Sequence, residues 1–451
     1  MIRKQHLDTN EKDNDKLNYN MISYSMELNS LIPGGAHTYS RGDDQYPSNA
    51  PSILERGKGA YVWDADGNKF LDYGMALRAI TLGYDYDPIS EAAIKEIHKG
   101  NNLTRASVTE YQAAKLITEL IPCAEMVKFA KNGSTVTSAA IKLSRAYTGR
   151  NYVALCAEHP FFSYDDWFIG TTPMQKGIPQ EKTSFSLKFH YNDITSLQKL
   201  FDEHPNEIAC VILEPSTYIS PKDNFLHKAQ ELCKKNGAVF ILDEMITGFR
   251  WHLQGAQKFY DIKPDLATFG KGMANGFSLA ALVGKREIMD LGGTQKDGAE
   301  RVFLISTTHG SEMCALGAFI ETVKQYQEKN VVEHIWNYGK QLIDGMNSIA
   351  KELGIEKYFS VEGYPCSPYY FTKDKSENLS LEFRTLFSQE MIKNGVLIPW
   401  IALSYSHREM ELELTLYAVK KSLAVYKQAL ENGIDKYLKG KVIKPVFRKY
   451  N

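Results

Sequence analysis

Between residues 81 and 325 the chain alternates short apolar runs with longer amphipathic stretches. The runs YVALCA, ACVILEP, AVFILDE and LATFG are too short and too uniformly apolar for surface helices and read as buried strands. Between them, SEAAIKEIHKG and EYQAAKLITELIP place their apolar residues at helical spacing. Strands alternating with helices predict a large α/β domain. Upstream, AYVWDADGNKFLDY puts the turn residues DADG between two aromatic-rich strands, a short hairpin. Downstream, VVEHIWNYGKQLIDGMNSIAKEL predicts a long helix leading into a smaller α+β region. The expected boundaries are 1–80 for the N-terminal tail and hairpin, 81–325 for the large domain, and 326–451 for the C-terminal domain with its tail. No internal repeat interrupts this plan.

Composition narrows the function classes. A chain of 451 residues with 43% hydrophobic and 24% charged content buries a large core and divides into two or three regions. Its net charge of −1 gives no general surface for nucleic acid. No uninterrupted apolar segment approaches the roughly 20 residues of a spanning helix, so no membrane attachment is expected. The opening MIRKQHLDTNEKDNDKLN lacks the apolar heart of a secretion signal, which makes a cytoplasmic location the expectation. Cysteines at 123, 156, 210, 233, 314 and 366 are scattered without a CxxC pair. They predict reduced thiols, mostly in the core, rather than a disulfide framework or a zinc site. The ending GIDKYLKGKVIKPVFRKYN carries six Lys or Arg against one Asp, and reads as a solvated tail, a strap on a neighbouring subunit, or an anion-binding segment.

The candidate chemistry lies between Val239 and Gly272. AVFILDEMITGFR ends an apolar run on Asp243, and LATFGKG sets Lys271 between two glycines. Alone, Asp243 is an acidic residue at a strand end and Lys271 a loop charge. Together they fit pyridoxal 5′-phosphate (PLP): a carboxylate at a strand's C-terminal end holds a pyridine nitrogen protonated while a nearby lysine forms a Schiff base with the aldehyde. An α/β sheet brings such residues to one edge, where ligands bind. A phosphate site is available in KNGSTVTSAAIKLSRAYTGR, where Gly133 and Ser134 open an amphipathic helix with outward N–H groups. Simple N-capping by Ser134 or Thr135 is the alternative for that segment.

The fragments DEMITGFR and FGKG resemble those of class III aminotransferases, and the chain from IPGGAHTYSRG at Ile32 to SYSH at Ser404 resembles their glutamate-1-semialdehyde aminomutase-like branch. That resemblance implies PLP fold type I, the aspartate aminotransferase-like architecture with a large mixed-sheet cofactor domain. It implies a covalent link from Lys271 to PLP, a ring-nitrogen partner in Asp243, and phosphate contacts from Gly133 and Ser134. It also places Phe161 and Met245 on the two ring faces and Glu214 of ILEP beside the cofactor. Thr308, or alternatively Thr307, would reach the phosphate of the other subunit, so a homodimer with shared sites is implied. Thr38 and Arg41 match positions near the substrate, and Trp400 with Tyr405 would form an apolar wall there. Within the residues alone, Phe161 and Met245 are ordinary packing, Thr308 a helix cap, and Arg41 a partner for Asp43 or Asp44.

The chain also departs from that branch. Thr135 replaces a glutamate, Phe162 and Ser163 replace a His-Gly pair, and THGSEMCAL replaces an SGNPLA pattern. GVLIPWIALSYSH has no FEAGF-like segment, which supplies a substrate-recognising glutamate in the aminomutases. The expected activity is therefore amino transfer from a small-molecule donor, glutamate by resemblance, to a carbonyl acceptor, for which a sugar-derived ketone or aldehyde is the candidate. A glutamate-1-semialdehyde 2,1-aminomutase is one alternative, and a catalytically silent PLP-binding regulator or scaffold is the other.

Overall fold

A computed structural model describes residues 24–451, so the polar opening stretch lies outside the described residues. The chain forms two compact units: Met1–Met75 with Tyr338–Glu362 and Pro368–Val446, and Ala76–Asn337 with Gly363–Ser367 and Phe447–Asn451. In the first unit, β1 (Leu54–Lys58), β2 (Tyr61–Asp64) and β3 (Lys69–Asp72) pair in order, with the two-residue strand Val396–Leu397 parallel to β3. The DADG segment turns as its residues dictate. Asp64 accepts hydrogen bonds from the N–H of Asp66 and of Asn68 at 3.1 and 2.8 Å, while Gly67 takes φ +85°.

The larger unit is built on a seven-stranded mixed sheet. Its strands are β4 (Met126–Ala130), β5 (Tyr152–Cys156), β6 (Ser186–Phe189), β7 (Ile208–Leu213), β8 (Val239–Asp243), β9 (Leu266–Phe269) and β10 (Ala280–Gly284), in the order β4-β10-β9-β8-β7-β5-β6. β10 runs antiparallel to both neighbours, and β6, β5, β7, β8 and β9 are parallel. Every residue of β7, β8 and β9 is buried, which explains why these runs are apolar throughout instead of alternating. One face of the sheet packs on helix Gly133–Thr148 through residues such as Val136, Ile212 and Ile241. The other packs on helices Ile194–Glu203 and Phe225–Asn236 through Leu197, Leu226 and Phe240.

All six cysteines are free, and all but Cys314 are buried. The basic ending does not stay apart from the fold. Phe447 belongs to the larger unit, packs on the cluster around Val136 and lies 6.4 Å from Phe161 with the rings 20° from parallel.

Just past β8, Glu244 is wholly buried and accepts from the hydroxyl of Thr247, the N–H groups of Ala256 and Gln257, and Nε2 of Gln257, at 2.6–3.2 Å. It closes the loop that follows the strand on itself. Replacing it with alanine strands buried donors, and the Glu244→Ala variant is expected to lose about 3 kcal/mol of unfolding free energy in a urea titration.

Candidate active site

Register alone gathers the chemistry. Leu213 pairs with Leu242 between β7 and β8, so Glu214 and Asp243 follow side by side on adjacent parallel strands. Asp243 in turn pairs with Thr268 of β9, and Lys271 comes two residues after that strand ends at Phe269. Three ionisable residues thus meet at the C-terminal edge of the sheet's centre, where open α/β sheets bind ligands.

Asp243 is 2% exposed. Its Oδ1 accepts from Met245 N–H at 3.0 Å and from Thr268 Oγ1 at 3.1 Å, while Oδ2 has no hydrogen-bond partner among the described residues. Burial pushes this carboxyl up to about 6, against the pull of its hydrogen bonds and of Lys271. Glu214 is pushed up to about 8, by burial and then by the Asp243 charge, with Lys271 and Arg78 acting the other way. Lys271 is driven downward, mainly by burial, although Glu214 and Asp243 favour its charged form. Protein surrounds Lys271, yet its side chain keeps some solvent exposure. It makes no hydrogen bond or ion pair among the described residues. An amine shifted toward neutrality and held off its neighbours is suited to covalent and proton-transfer work.

Lys271 opens a short 3-10 turn, Lys271–Ala274, with φ +45°, a left-handed conformation that costs a residue with a Cβ about 1–2 kcal/mol. The surroundings fix it there. Asn275 Oδ1 accepts from the N–H of Thr81 and of Leu82 at 3.0 and 2.9 Å, and its Nδ2 donates to Gly83 O at 3.0 Å. The flanking glycines are needed for closeness. A Cβ on Gly270 would lie 2.7 Å from Met245 Sδ, and one on Gly272 would lie 2.7 Å from Thr81 Cγ2.

The same Met245 sulfur would be 2.9 Å from a Cβ on Gly133, which ties the lysine loop to helix Gly133–Thr148. The helix N-cap is Asn132, whose side chain accepts from Thr135 N–H at 3.0 Å, so neither Ser134 nor Thr135 does the capping. The N–H groups of Gly133 and Ser134 have no acceptor among the described residues. Ser134 Oγ is already engaged, accepting from Tyr164 N–H at 3.1 Å.

The remaining expected residues are placed as follows. Phe161 is half-exposed, edge-on to Phe168 and stacked on Phe447. Thr307 and Thr308 are exposed on the loop before helix Met313–Lys329 and are not gathered with Lys271. Thr38, Arg41 and Trp400 belong to the other unit. There Thr38 precedes the turn Tyr39–Arg41, Arg41 is exposed without an ion pair among the described residues, and Trp400 Nε1 donates to Gly74 O at 3.0 Å. A cavity of about 420 Å³ bounded by Arg145, Asp165 and Lys182 contains none of the site residues.

The sequence pattern of the family "Aminotransferase class-III" matches residues 43–398. The chain is 32% identical over 419 residues to the 3-aminobutyryl-CoA aminotransferase of Cloacimonas acidaminovorans strain Evry, covering 91% of this chain and 98% of the relative. The chain belongs to the class III aminotransferases. It is also 32% identical over 429 residues to the glutamate-1-semialdehyde 2,1-aminomutase of Francisella philomiragia subsp. philomiragia, covering 89% and 97% of the two chains. Among solved structures, the PLP-bound FumI protein of Sphingopyxis sp. MTA144 superposes with a TM-score of 0.83 at 25% identity, covering 92% of this chain and 98% of that one. An omega-transaminase from Sphaerobacter thermophilus superposes with a TM-score of 0.81 at 24% identity, covering 90% and 98%.

This class III enzyme has PLP fold type I, and its cofactor is pyridoxal 5′-phosphate. The residues present fit that group: an uncommitted carboxylate oxygen on Asp243, an amine on Lys271, and free N–H groups at a helix start. Sequence reasoning missed Asn132, which caps its own helix, and Thr268 and Asn275, which orient the site through hydrogen bonds across distant segments. The Asn-Gly pairs Asn132-Gly133 and Asn275-Gly276 hinted at two of them.

A buried carboxyl raised from 3.8 to about 6 binds its proton more tightly folded than unfolded. Stability therefore falls as pH rises through that window, and the deficit persists above it. Cofactor-free Asp243→Asn is expected to exceed the wild type by about 3 kcal/mol in urea unfolding at pH 8 and to match it below pH 4. The same variant should lose PLP on dialysis far faster than the wild type.

Proposed function

We propose that the enzyme moves an amino group between two small molecules, from a carboxylated donor, glutamate by preference, to a carbonyl acceptor. The single observation that supports this most is the meeting of Glu214, Asp243 and Lys271 at one sheet edge, with Lys271 pushed toward its neutral form. When bound, PLP supplies an electrophilic carbonyl and a ring that accepts the electron pair of a developing carbanion. Lys271 Nζ is the residue for covalent attachment, and its neutral amine then carries the proton to and from the substrate carbon. Asp243, whose Oδ2 is uncommitted, would hold the pyridine nitrogen of the bound group protonated. That pairing also gives the buried Asp243 charge a partner. The N–H groups of Gly133 and Ser134 would hold the phosphate, and Met245 and Phe161 are assigned to the two faces of the ring. Glu214, the more reluctantly ionised of the two carboxyls, acts as a protonated neighbour at neutral pH.

Thr38, Arg41 and Trp400 are assigned to the substrate side, and Thr308 to the phosphate of a second subunit. The exposure of Thr308 in the single chain supports that assignment, and with it a homodimer. No helix among the described residues is long and apolar enough to cross a membrane, and a cytoplasmic enzyme is the reading adopted. The boundaries 1–80, 81–325 and 326–451 remain the proposed division of the chain into domains.

The 2,1-aminomutase reading is favoured by the Francisella relative, as similar to this chain as the aminotransferase is. Against it stands the segment GVLIPWIALSYSH, without the FEAGF-like sequence. Acceptors to screen are sugar-derived ketones or aldehydes and, from the Cloacimonas relative, 3-oxoacyl thioesters.

Titration of the PLP-loaded enzyme with glutamate alone is expected to deplete the cofactor's visible absorbance band, and 2-oxoglutarate to restore it. Absence of any response to glutamate, with isomerisation of glutamate-1-semialdehyde in the absence of a donor, would replace transamination by aminomutation.

A further inference from the structure

Directly after β3 the chain makes a turn of the wrong hand. Met75, Ala76, Leu77 and Arg78 have φ of 41°, 47°, 62° and 69°, a run of left-handed residues without glycine, asparagine or aspartate. Each such residue costs about 1–2 kcal/mol, and left-handed geometry ordinarily occurs singly. Strain of this size persists only where the surroundings over-determine it, and it collects at working sites.

Specific bonds hold the turn in the larger unit. Ala76 N–H donates to Tyr84 Oη at 2.9 Å, and the buried Arg250 donates from Nη2 to Arg78 O at 3.1 Å. Arg78 Nη1 donates to Ser367 Oγ at 2.7 Å, which aims the guanidinium. The residues that follow press on the lysine loop. Thr81 Oγ1 meets Gly272 O at 3.4 Å, and a Cβ on Gly276 would lie 2.4 Å from Ile80 Cδ1. Arg78 thereby stands where its charge favours the ionised form of Glu214 and the neutral form of Lys271. None of the cofactor contacts assigned above requires it.

A planar cation anchored at Ser367, on a strained backbone whose next residues pack on the lysine loop, has one evident use. We propose that Arg78 binds the carboxylate of the substrate, so that the enzyme's amino donors are carboxylated compounds selected by this guanidinium. The inference rests on the transamination reading for the identity of the ligand, and on the turn and its anchors for the residue. Arg78's fork matches a carboxylate in two parallel hydrogen bonds. The bonds from Ala76 to Tyr84, from Arg250 to Arg78 and from Arg78 to Ser367 fix where that side chain stands.

The test uses the full-length, PLP-loaded protein with Arg78→Gln, Arg78→Lys and Ser367→Ala. Two readings are taken: the half-saturation of the absorbance change for glutamate and for propylamine, and calorimetric binding of glutarate, which cannot react. Arg78→Gln is expected to weaken glutamate by about 30-fold and to abolish glutarate binding, with propylamine weakened far less. Arg78→Lys should recover part of the loss. Ser367→Ala, which leaves the charge in place, should weaken glutamate by about threefold and keeps the question open to decision should Arg78→Gln fold poorly. Equal losses for glutamate and propylamine, or glutarate binding that is undiminished in Arg78→Gln or absent in the wild type, would overturn the proposal. A wild-type protein that answers to no amine but loses glutarate binding in Arg78→Gln would overturn the transamination reading and leave the anion site standing.

Discussion

The active site depends on burying two carboxylates and largely enclosing a lysine near them, just past the ends of β7, β8 and β9. In water such groups ionise freely, but removed from water each resists charge, and their mutual attraction offsets only part of that cost. The result is a cluster whose protonation is unsettled: Asp243 raised, Glu214 raised further, Lys271 lowered. This is unfavourable for folding and useful for chemistry. A cofactor with a ring nitrogen for Asp243 and a carbonyl for Lys271 gives both groups partners, so the energy withheld from the fold is recovered on binding.

Around that cluster the chain spends further conformational energy on closeness. Met245 fits only because Gly133 and Gly270 lack side chains, and this single thioether spans from the phosphate-binding helix to the lysine loop. Lys271 itself is left-handed, and so is the run that ends at Arg78. These strained segments are clasped to each other by Asn275 and anchored by Arg250, both buried. Rigid neighbours that fix a costly backbone are what let a flexible lysine act at a defined point.

The α/β plan was legible because its signals are local. Fully buried parallel strands leave uninterrupted apolar runs, and the DADG turn announces its hairpin through Asp64 and Gly67. Asp243 and Lys271 were legible as a pair because strand ends mark the sheet's edge. What stayed hidden is either a choice among neighbouring caps or a contact between remote segments. Nothing near Asn132 distinguishes it from Ser134 as the cap, and nothing near Asn275 tells that it binds the chain at Thr81. The left-handed run at Met75–Arg78 has no sequence signature, since its residues are ordinary helix formers. The basic tail was ambiguous for the opposite reason: its charges suit many surfaces, and its attachment comes from backbone hydrogen bonds at Lys439, Ile443 and Lys444 and from the ring of Phe447, none of which its charges announce.

The site's central claim is that Lys271 is the residue prepared for covalent attachment. Borohydride reduction of the PLP-loaded enzyme, followed by proteolysis and mass spectrometry, measures this directly. The cofactor mass is expected on the peptide containing Lys271 and on no other lysine. Stoichiometric labelling elsewhere, with Lys271 unmodified, would contradict the account.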